Sequence, residues 1–163
     1  MSVKEVNGGA TPVATTVTNC RFCTDDDYNP GTDYPMVKPA AGSNYSFKKT
    51  LYLNADTSPS SIINNIKFFC DGTIGWTGVD IECAVADAYT EPTGTIGTTG
   101  DDESLNNNIE DYTTGSPLSM TGSISNPDTG KVSQYLELQA VVSTDAVAGA
   151  LAAETVTFRY DEV

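Results

Sequence analysis

The chain has 163 residues, enough for one domain with its own hydrophobic core, and carries 22 acidic side chains against 8 basic ones. A formal charge of -14 argues against binding to nucleic acid or to an anionic membrane surface, since both need clustered Lys and Arg. The sequence contains no histidine, which removes nucleophile pairs built on Ser and His or on Cys and His. We therefore expect a protein that is not an enzyme and that uses no cofactor.

Residues 1–12 are small and polar, so the sequence predicts an N-terminal arm that is flexible or forms an interface. The candidate interface residues in this arm are Ser2, Val3 and Val6. The segment lacks the apolar run of a signal peptide, and no later stretch reaches membrane-spanning length, so we expect synthesis without a cleaved leader. We expect residues 13–163 to form a single β-sandwich domain.

An acidic loop rich in proline and glycine follows the first two cysteines. The spacing Asp25-x-Asp27-x-Asn29 resembles the start of a calcium-binding loop, in which alternating oxygen ligands surround one cation. The match then ends, because the glycine falls one place late and Met36 stands where a bidentate glutamate is needed. These three residues are therefore candidate calcium ligands, and a solvated acidic loop is the interpretation that we favour.

Alternation of apolar and polar residues, the pattern of strands with one buried face, predicts the regular part of the fold. The pattern is found in residues 45–53, 66–70, 79–85, 132–142 and 156–160, with shorter candidates at 13–18 and 118–120. Lys49 is the one break in the apolar face of its strand. With turn residues between them, about seven or eight such strands predict an all-β fold, an antiparallel β-sandwich or jelly roll with long surface loops.

Two glycine-containing segments interrupt this pattern. Residues 71–78 contain three glycines and predict a hairpin-like loop. Within it, Asp71 and Trp76 are candidates for carbohydrate binding, although a single Trp more often covers the end of a core. Residues 90–116 are dominated by Thr, Gly, Asp and Asn, which predicts a long and mobile surface excursion.

The four cysteines are Cys20, Cys23, Cys70 and Cys83. Cys70 and Cys83 are in phase with the inward faces of their predicted strands, so buried free thiols are the interpretation that we favour. Disulfides and a zinc site stay open as alternatives, although only the first pair has the Cys-x-x-Cys spacing of a zinc site.

Three segments together carry a family resemblance: residues 45–59, residues 65–79 with the sequence NIKFFCDGTIGWTGV, and residues 154–162 with the sequence ETVTFRYDE. They resemble small β-sandwich structural proteins of tailed viruses, which decorate capsids or cover virion surfaces. The resemblance spans most of residues 13–163 and implies a non-enzymatic protein, made in the host cytoplasm and attached in many copies to the virion surface. The implied partners are capsid or other virion proteins and copies of the chain itself, with no catalytic residue to transfer.

Two alternatives come from other classes of function. One is a carbohydrate-binding, lectin-like module that uses Trp76 and Asp71. The other is a self-assembling filament subunit that donates a terminal strand to its neighbour. Neither alternative involves nucleic acid or a membrane.

Overall fold

The computed structural model describes residues 1–163 and folds them into two antiparallel sheets that pack against each other. It contains no α-helix, only a short 3-10 turn at Ile109–Asp111, so no helix is available to cross a membrane. The predicted all-β antiparallel sandwich is confirmed, whereas the narrower jelly roll stays a prediction.

Fourteen strands form the two sheets, in place of the seven or eight that were predicted. In chain order they are β1 (Ser2–Glu5), β2 (Thr15–Thr16), β3 (Ser43–Tyr45), β4 (Lys49–Ala55), β5 (Ile62–Phe69), β6 (Val79–Ala86), β7 (Gly94–Thr95), β8 (Thr99–Gly100), β9 (Asn107–Asn108), β10 (Leu118–Met120), β11 (Ile124–Ser125), β12 (Gly130–Lys131), β13 (Tyr135–Ser143) and β14 (Thr157–Glu162). The additional strands are mostly two or three residues long, too short to show an alternating pattern.

Strand β13 organises the large, ten-stranded sheet. Along one edge it pairs with β6 from Tyr135 to Val142, and along the other it pairs first with β4 and then with β3. In the small, four-stranded sheet β5 has the same role, with β14 on one edge and β10 and β11 on the other.

The core lies between the two sheets and is built from alternate residues of the longest strands. Leu51 and Leu53 of β4 pack with Leu136 and Leu138 of β13, and Phe68 of β5 belongs to the same cluster. The polar positions between them are the outer faces of the same strands, and this separation makes the alternating pattern visible in the sequence.

Residues 2–5 of the predicted N-terminal arm instead form strand β1 of the large sheet. Ser2 lies opposite Asn54 and Glu5 lies opposite Leu51, so the segment continues the sheet along the edge of β4. Val6 is buried and its amide donates to the carbonyl of Thr50 at 2.9 Å. The segment is polar, but its partner β4 lies about fifty residues away in the chain, so local composition gave no sign of the pairing.

Two of the predicted loops also differ from expectation. Residues 71–78 connect β5 in the small sheet to β6 in the large sheet, so this segment crosses between sheets and is not a hairpin. Residues 90–116 contain β7, β8, β9 and the 3-10 turn, and Ile109 within them is fully buried. Buried apolar side chains and short strand pairings hold this segment on the sandwich. Neither produces a repeating pattern that the sequence would show.

Candidate functional site

One side of the sandwich carries an apolar groove between the first strand of the large sheet and the last strand of the small sheet. The groove has a volume of about 410 Å³ and is lined mainly by hydrophobic side chains. Val3 and Leu53 contribute from the large sheet, and Phe158 and Tyr160 contribute from β14. This groove offers apolar surface that the chain does not fill with its own side chains.

Strand β14 forms the edge of the small sheet beside this groove. It pairs with β5 alone, and all of its residues except the partly buried Phe158 are exposed. Such a strand presents a row of backbone N–H and C=O groups that can pair with another chain. The groove and the free edge together make this side of the molecule the candidate functional site, an interaction surface.

A second and larger cavity, of about 920 Å³, lies between the large sheet and residues 146–156, which we call the strap. The floor of the cavity includes Val79, Ile81 and Val142, and the strap carries Val147 and Leu151, both of which are exposed. The strap leads directly into β14, so it links the larger cavity to the free edge.

Trp76 fixes the strap to the rest of the fold. Its indole Nε1 donates a hydrogen bond to the carbonyl oxygen of Ala152 at 2.8 Å, and the neighbouring Gly75 amide donates to Glu154 Oε1 at 3.2 Å. The indole is half-buried and packs against both hydrophobic clusters of the sandwich. Covering the core is thus the role in which the structure places this Trp.

Asp71, the other carbohydrate candidate, is exposed at the start of the same loop. Its Oδ1 accepts a hydrogen bond from the amide of Thr73 at 3.0 Å, which closes a tight turn around Gly72. The polar contacts of Asp71 and Trp76 therefore go to different parts of the molecule, and carbohydrate binding by this pair stays a prediction.

The predicted interface residues Ser2, Val3 and Val6 are distributed along β1 and the residue that follows it. Ser2 Oγ donates to Asp56 Oδ1 at 2.8 Å, Val3 lies opposite Leu53 and lines the groove, and Val6 is buried. Ser2 and Val3 thus both line the candidate surface, whereas Val6 does not.

Two of the calcium candidates, Asp25 and Asp27, make local contacts within their loop. Asp27 Oδ1 accepts from the amide of Asn29 at 2.9 Å, which forms a local turn, whereas the carbonyl of Asp25 accepts from Cys23 Sγ at 3.2 Å. The structure brings no three His, Cys, Asp or Glu side chains together in a metal-binding arrangement. The carboxylate of Asp26, which was not a candidate, instead accepts from Asn7 Nδ2 at 2.7 Å and the Gly9 amide at 2.6 Å.

A buried ion pair joins β1 to β4 beneath this acidic loop. Lys49 Nζ lies 3.2 Å from Glu5 Oε1, both side chains are fully buried, and Nζ also donates to the carbonyl of Asp27. Both carboxylate oxygens of Glu5 lack a further hydrogen-bond partner. The sequence showed one sign of this pair, the break at Lys49 in an otherwise apolar strand face.

Burial and charge act in opposite directions on this pair. Burial raises the pKa of Glu5 above its usual value, and the positive charge of Lys49 only partly opposes that rise. Burial lowers the pKa of Lys49, but the facing carboxylate of Glu5 outweighs it, so the pKa of Lys49 is raised overall. The two groups therefore depend on each other for their charged state.

All four cysteines are free thiols in the structure, with Cys20 half-buried and the other three buried. Burial raises the pKa of Cys20 and Cys23, and raises that of Cys83 to about 12. Cys70 Sγ donates to the carbonyl of Ile109 at 3.4 Å and so helps to fix the 3-10 turn on the core. These are the properties of small buried residues, the interpretation favoured from the sequence.

The open side of the sandwich therefore combines a free strand edge, an apolar groove and a strap fixed by one indole. The edge and the groove suit contact with another polypeptide, because a strand edge supplies backbone hydrogen bonds and a groove supplies apolar area. Comparison of the chain with protein-family models, with curated proteins and with solved structures finds no match.

Proposed function

We propose that the chain is a structural protein of a virus particle, bound in many copies to the virion surface as a decorating and stabilising subunit. The observation that carries the proposal is the free edge of β14 beside an apolar groove, because this surface is suited to pairing with protein. The resemblance to small β-sandwich proteins of tailed viruses supplies the viral setting. The segments that carry the resemblance include the whole of β4 and β14 and most of β5.

The proposed mechanism is contact repeated over a lattice. A single strand edge and a groove of about 410 Å³ give a weak contact, but many copies on one particle multiply it into stable attachment. The charge of -14 disfavours non-specific adhesion, so attachment depends on the specific surface.

Immuno-electron microscopy of particles tests the proposal. Antibodies are raised against the purified chain and applied to particles released from a culture that carries the gene, with particles from a gene-deleted culture as the control. We expect regular labelling of the intact particle surface in the first preparation alone. Absence of label on both intact and disrupted particles would contradict the proposal.

Fluorescence separates this proposal from the carbohydrate alternative. The chain contains a single Trp, so its emission reports on Trp76 alone. A contact protein gives no saturable change when a panel of glycans is titrated into the purified chain. A saturable change that is lost in Asp71→Ala would favour the lectin-like alternative instead.

A further inference from the structure

The backbone of β14 has a defined set of free hydrogen-bonding groups. Val163 and Ile62 exchange two backbone hydrogen bonds at 3.0 Å, so the N–H and C=O of Val163 point toward β5. The register shifts by one residue between Arg159 and Asp161, where β5 has two residues, Asn65 and Ile66, against Tyr160 alone. Because the additional residue lies in β5, β14 keeps the alternation of an antiparallel strand, and the backbone groups of Phe158, Tyr160 and Glu162 point away from β5. Strand β14 pairs with no other strand, so these groups are available along its free edge.

The charges of β14 are complementary to those of a second, antiparallel copy of the same strand. A two-fold axis perpendicular to the sheet keeps the inward faces together and places one residue opposite its own copy. An axis at Arg159 or Asp161 sets like charges opposite each other, and an axis at Phe158 leaves the acidic end of the strand unpaired. An axis at Tyr160 sets each Arg159 opposite the second copy's Asp161 and pairs the whole strand.

We propose that two copies of the chain associate through their β14 edges, antiparallel, with Tyr160 on the two-fold axis. The two four-stranded sheets then form one continuous sheet, because the outward backbone groups of Phe158, Tyr160 and Glu162 are the ones that pair. Arg159 and the second copy's Asp161 occupy a non-hydrogen-bonded pair, the position in which facing side chains lie closest.

The side chains of the proposed ion pairs are accessible in the single chain. Arg159 is exposed, with its guanidinium carbon 5.6 Å from the ring centre of Phe69. Asp161 is also exposed, and its Oδ2 accepts one hydrogen bond from Asn65 Nδ2 at 2.7 Å. A carboxylate has room for further donors, so Asp161 can keep this bond and also accept from an arginine.

The role of this pairing in a particle rests on the proposed function. The pairing itself is a property of the purified chain and can be measured without a particle. The pairing uses the β14 edges, so contact of each pair with a shell falls to the two apolar grooves beside them, and two grooves on one pair make a weak contact multivalent. The test below uses no particle, so failure of the pairing and failure of the viral proposal are separate results.

Sedimentation velocity over a concentration series of the full chain tests the pairing. The wild type is expected to pass from monomer to dimer as its concentration rises. Arg159→Asp and Asp161→Arg each set like charges opposite each other twice across the axis, so each is expected to weaken dimerisation at least about tenfold. An equimolar mixture of the two variants is expected to dimerise again, because the acidic side chains of one variant then face the basic side chains of the other.

Tyr160→Pro provides an independent variant, because proline removes an outward N–H and leaves the pairing with β5 in place. It is expected to remain folded by circular dichroism and to stay monomeric. A wild type that is monomeric up to about 1 mM overturns the proposal. The proposal is also overturned if the single-charge variants dimerise like the wild type. It is equally overturned if a mixture of the two folded variants fails to dimerise.

Discussion

At the scale of single residues, the buried Glu5–Lys49 pair joins the first strand to β4. Both side chains are fully buried and face each other at 3.2 Å. Removing one member of such a pair leaves the other charge buried without compensation, which costs more than the pair itself contributes. The pair therefore fixes how β1 lies on β4 more than it adds to stability.

Lys49→Met is expected to lower the free energy of unfolding by about 3–5 kcal/mol at neutral pH, because the buried carboxylate of Glu5 loses its partner. Urea unfolding followed by circular dichroism measures the loss. The double variant Glu5→Leu/Lys49→Met is expected to recover most of it, since a packed apolar pair replaces the ion pair. Lys4→Met is the matched control on the same strand: Lys4 is only partly buried, its Nζ lies 3.9 Å from the exposed Asp56 and donates to Thr16 Oγ1, and its loss is expected to cost far less than that of Lys49.

The loss in free energy of unfolding caused by Lys49→Met, relative to the wild type, is expected to depend on pH. The pKa of Glu5 is raised above 4.5 in the folded state, so its contribution to stability is present below 4.5 and is lost as the pH rises through the folded value. Without Lys49 the folded pKa of Glu5 rises further, so the deficit is largest at neutral pH and shrinks as the pH falls toward 4.5. A deficit that stays constant from pH 7 to about 5 would contradict the role given to Glu5.

At the scale of elements, the long strands could be predicted and the short ones could not. Strand β6 buries one face, and β13 turns apolar residues toward the core although its other face, with Glu137 and Gln139, is also largely buried. In both strands the apolar residues alternate, so their bounds follow closely from the sequence. Strand β1 was missed because its polar residues are stabilised by distant partners, including the buried Lys49. Strands β7 and β9 have two residues each and show no periodicity.

The candidate site was also predictable only in part, because it depends on partners that lie far apart in the sequence. The exposed strand β14 was visible as an alternating segment, but its position at a sheet edge depends on which strands pair across the whole chain. Trp76 was expected to cover the core, and it does so, but its bond to Ala152 in the strap joins residues far apart in sequence. A pattern within one segment carries no information on such partners.

Trp76→Phe is expected to loosen the strap without unfolding the sandwich. The substitution removes the hydrogen bond to Ala152 and keeps an aromatic ring on the core, so the expected loss is about 1 kcal/mol. Hydrogen exchange followed by mass spectrometry should show faster exchange in residues 146–155 and unchanged exchange in β13. Thr77→Ala, at the exposed neighbouring position, is the control and should leave both regions unchanged. Equal exchange of the strap in Trp76→Phe and wild type would mean that the indole does not hold it.

At the scale of the whole molecule, the first strand ties the N-terminus into the large sheet along one edge of β4. Strand β1 covers the edge of β4, and the residues just after it carry a second set of buried contacts: Asn7 Nδ2 donates to the carbonyl of Lys48 at 2.8 Å, and Asn7 Oδ1 accepts from the Thr50 amide at 3.2 Å. Through Asp26 the same asparagine also fixes the acidic loop. Residues 1–7 thus connect an edge strand, a buried charge and a loop.

Deletion of residues 1–7 is expected to destabilise the whole domain, because it exposes the edge of β4 and leaves Lys49 buried without Glu5. Urea unfolding should show a much lower midpoint, or a chain that no longer unfolds cooperatively.

A synthetic peptide of residues 1–12, added to the truncated chain, should bind the free edge and raise the midpoint with peptide concentration. The same peptide carrying Glu5→Lys is the control, since it opposes two positive charges in the buried position, and it should have no effect. A truncated chain that unfolds at the wild-type midpoint would place residues 1–7 outside the sheet, as an arm whose contacts lie on another molecule.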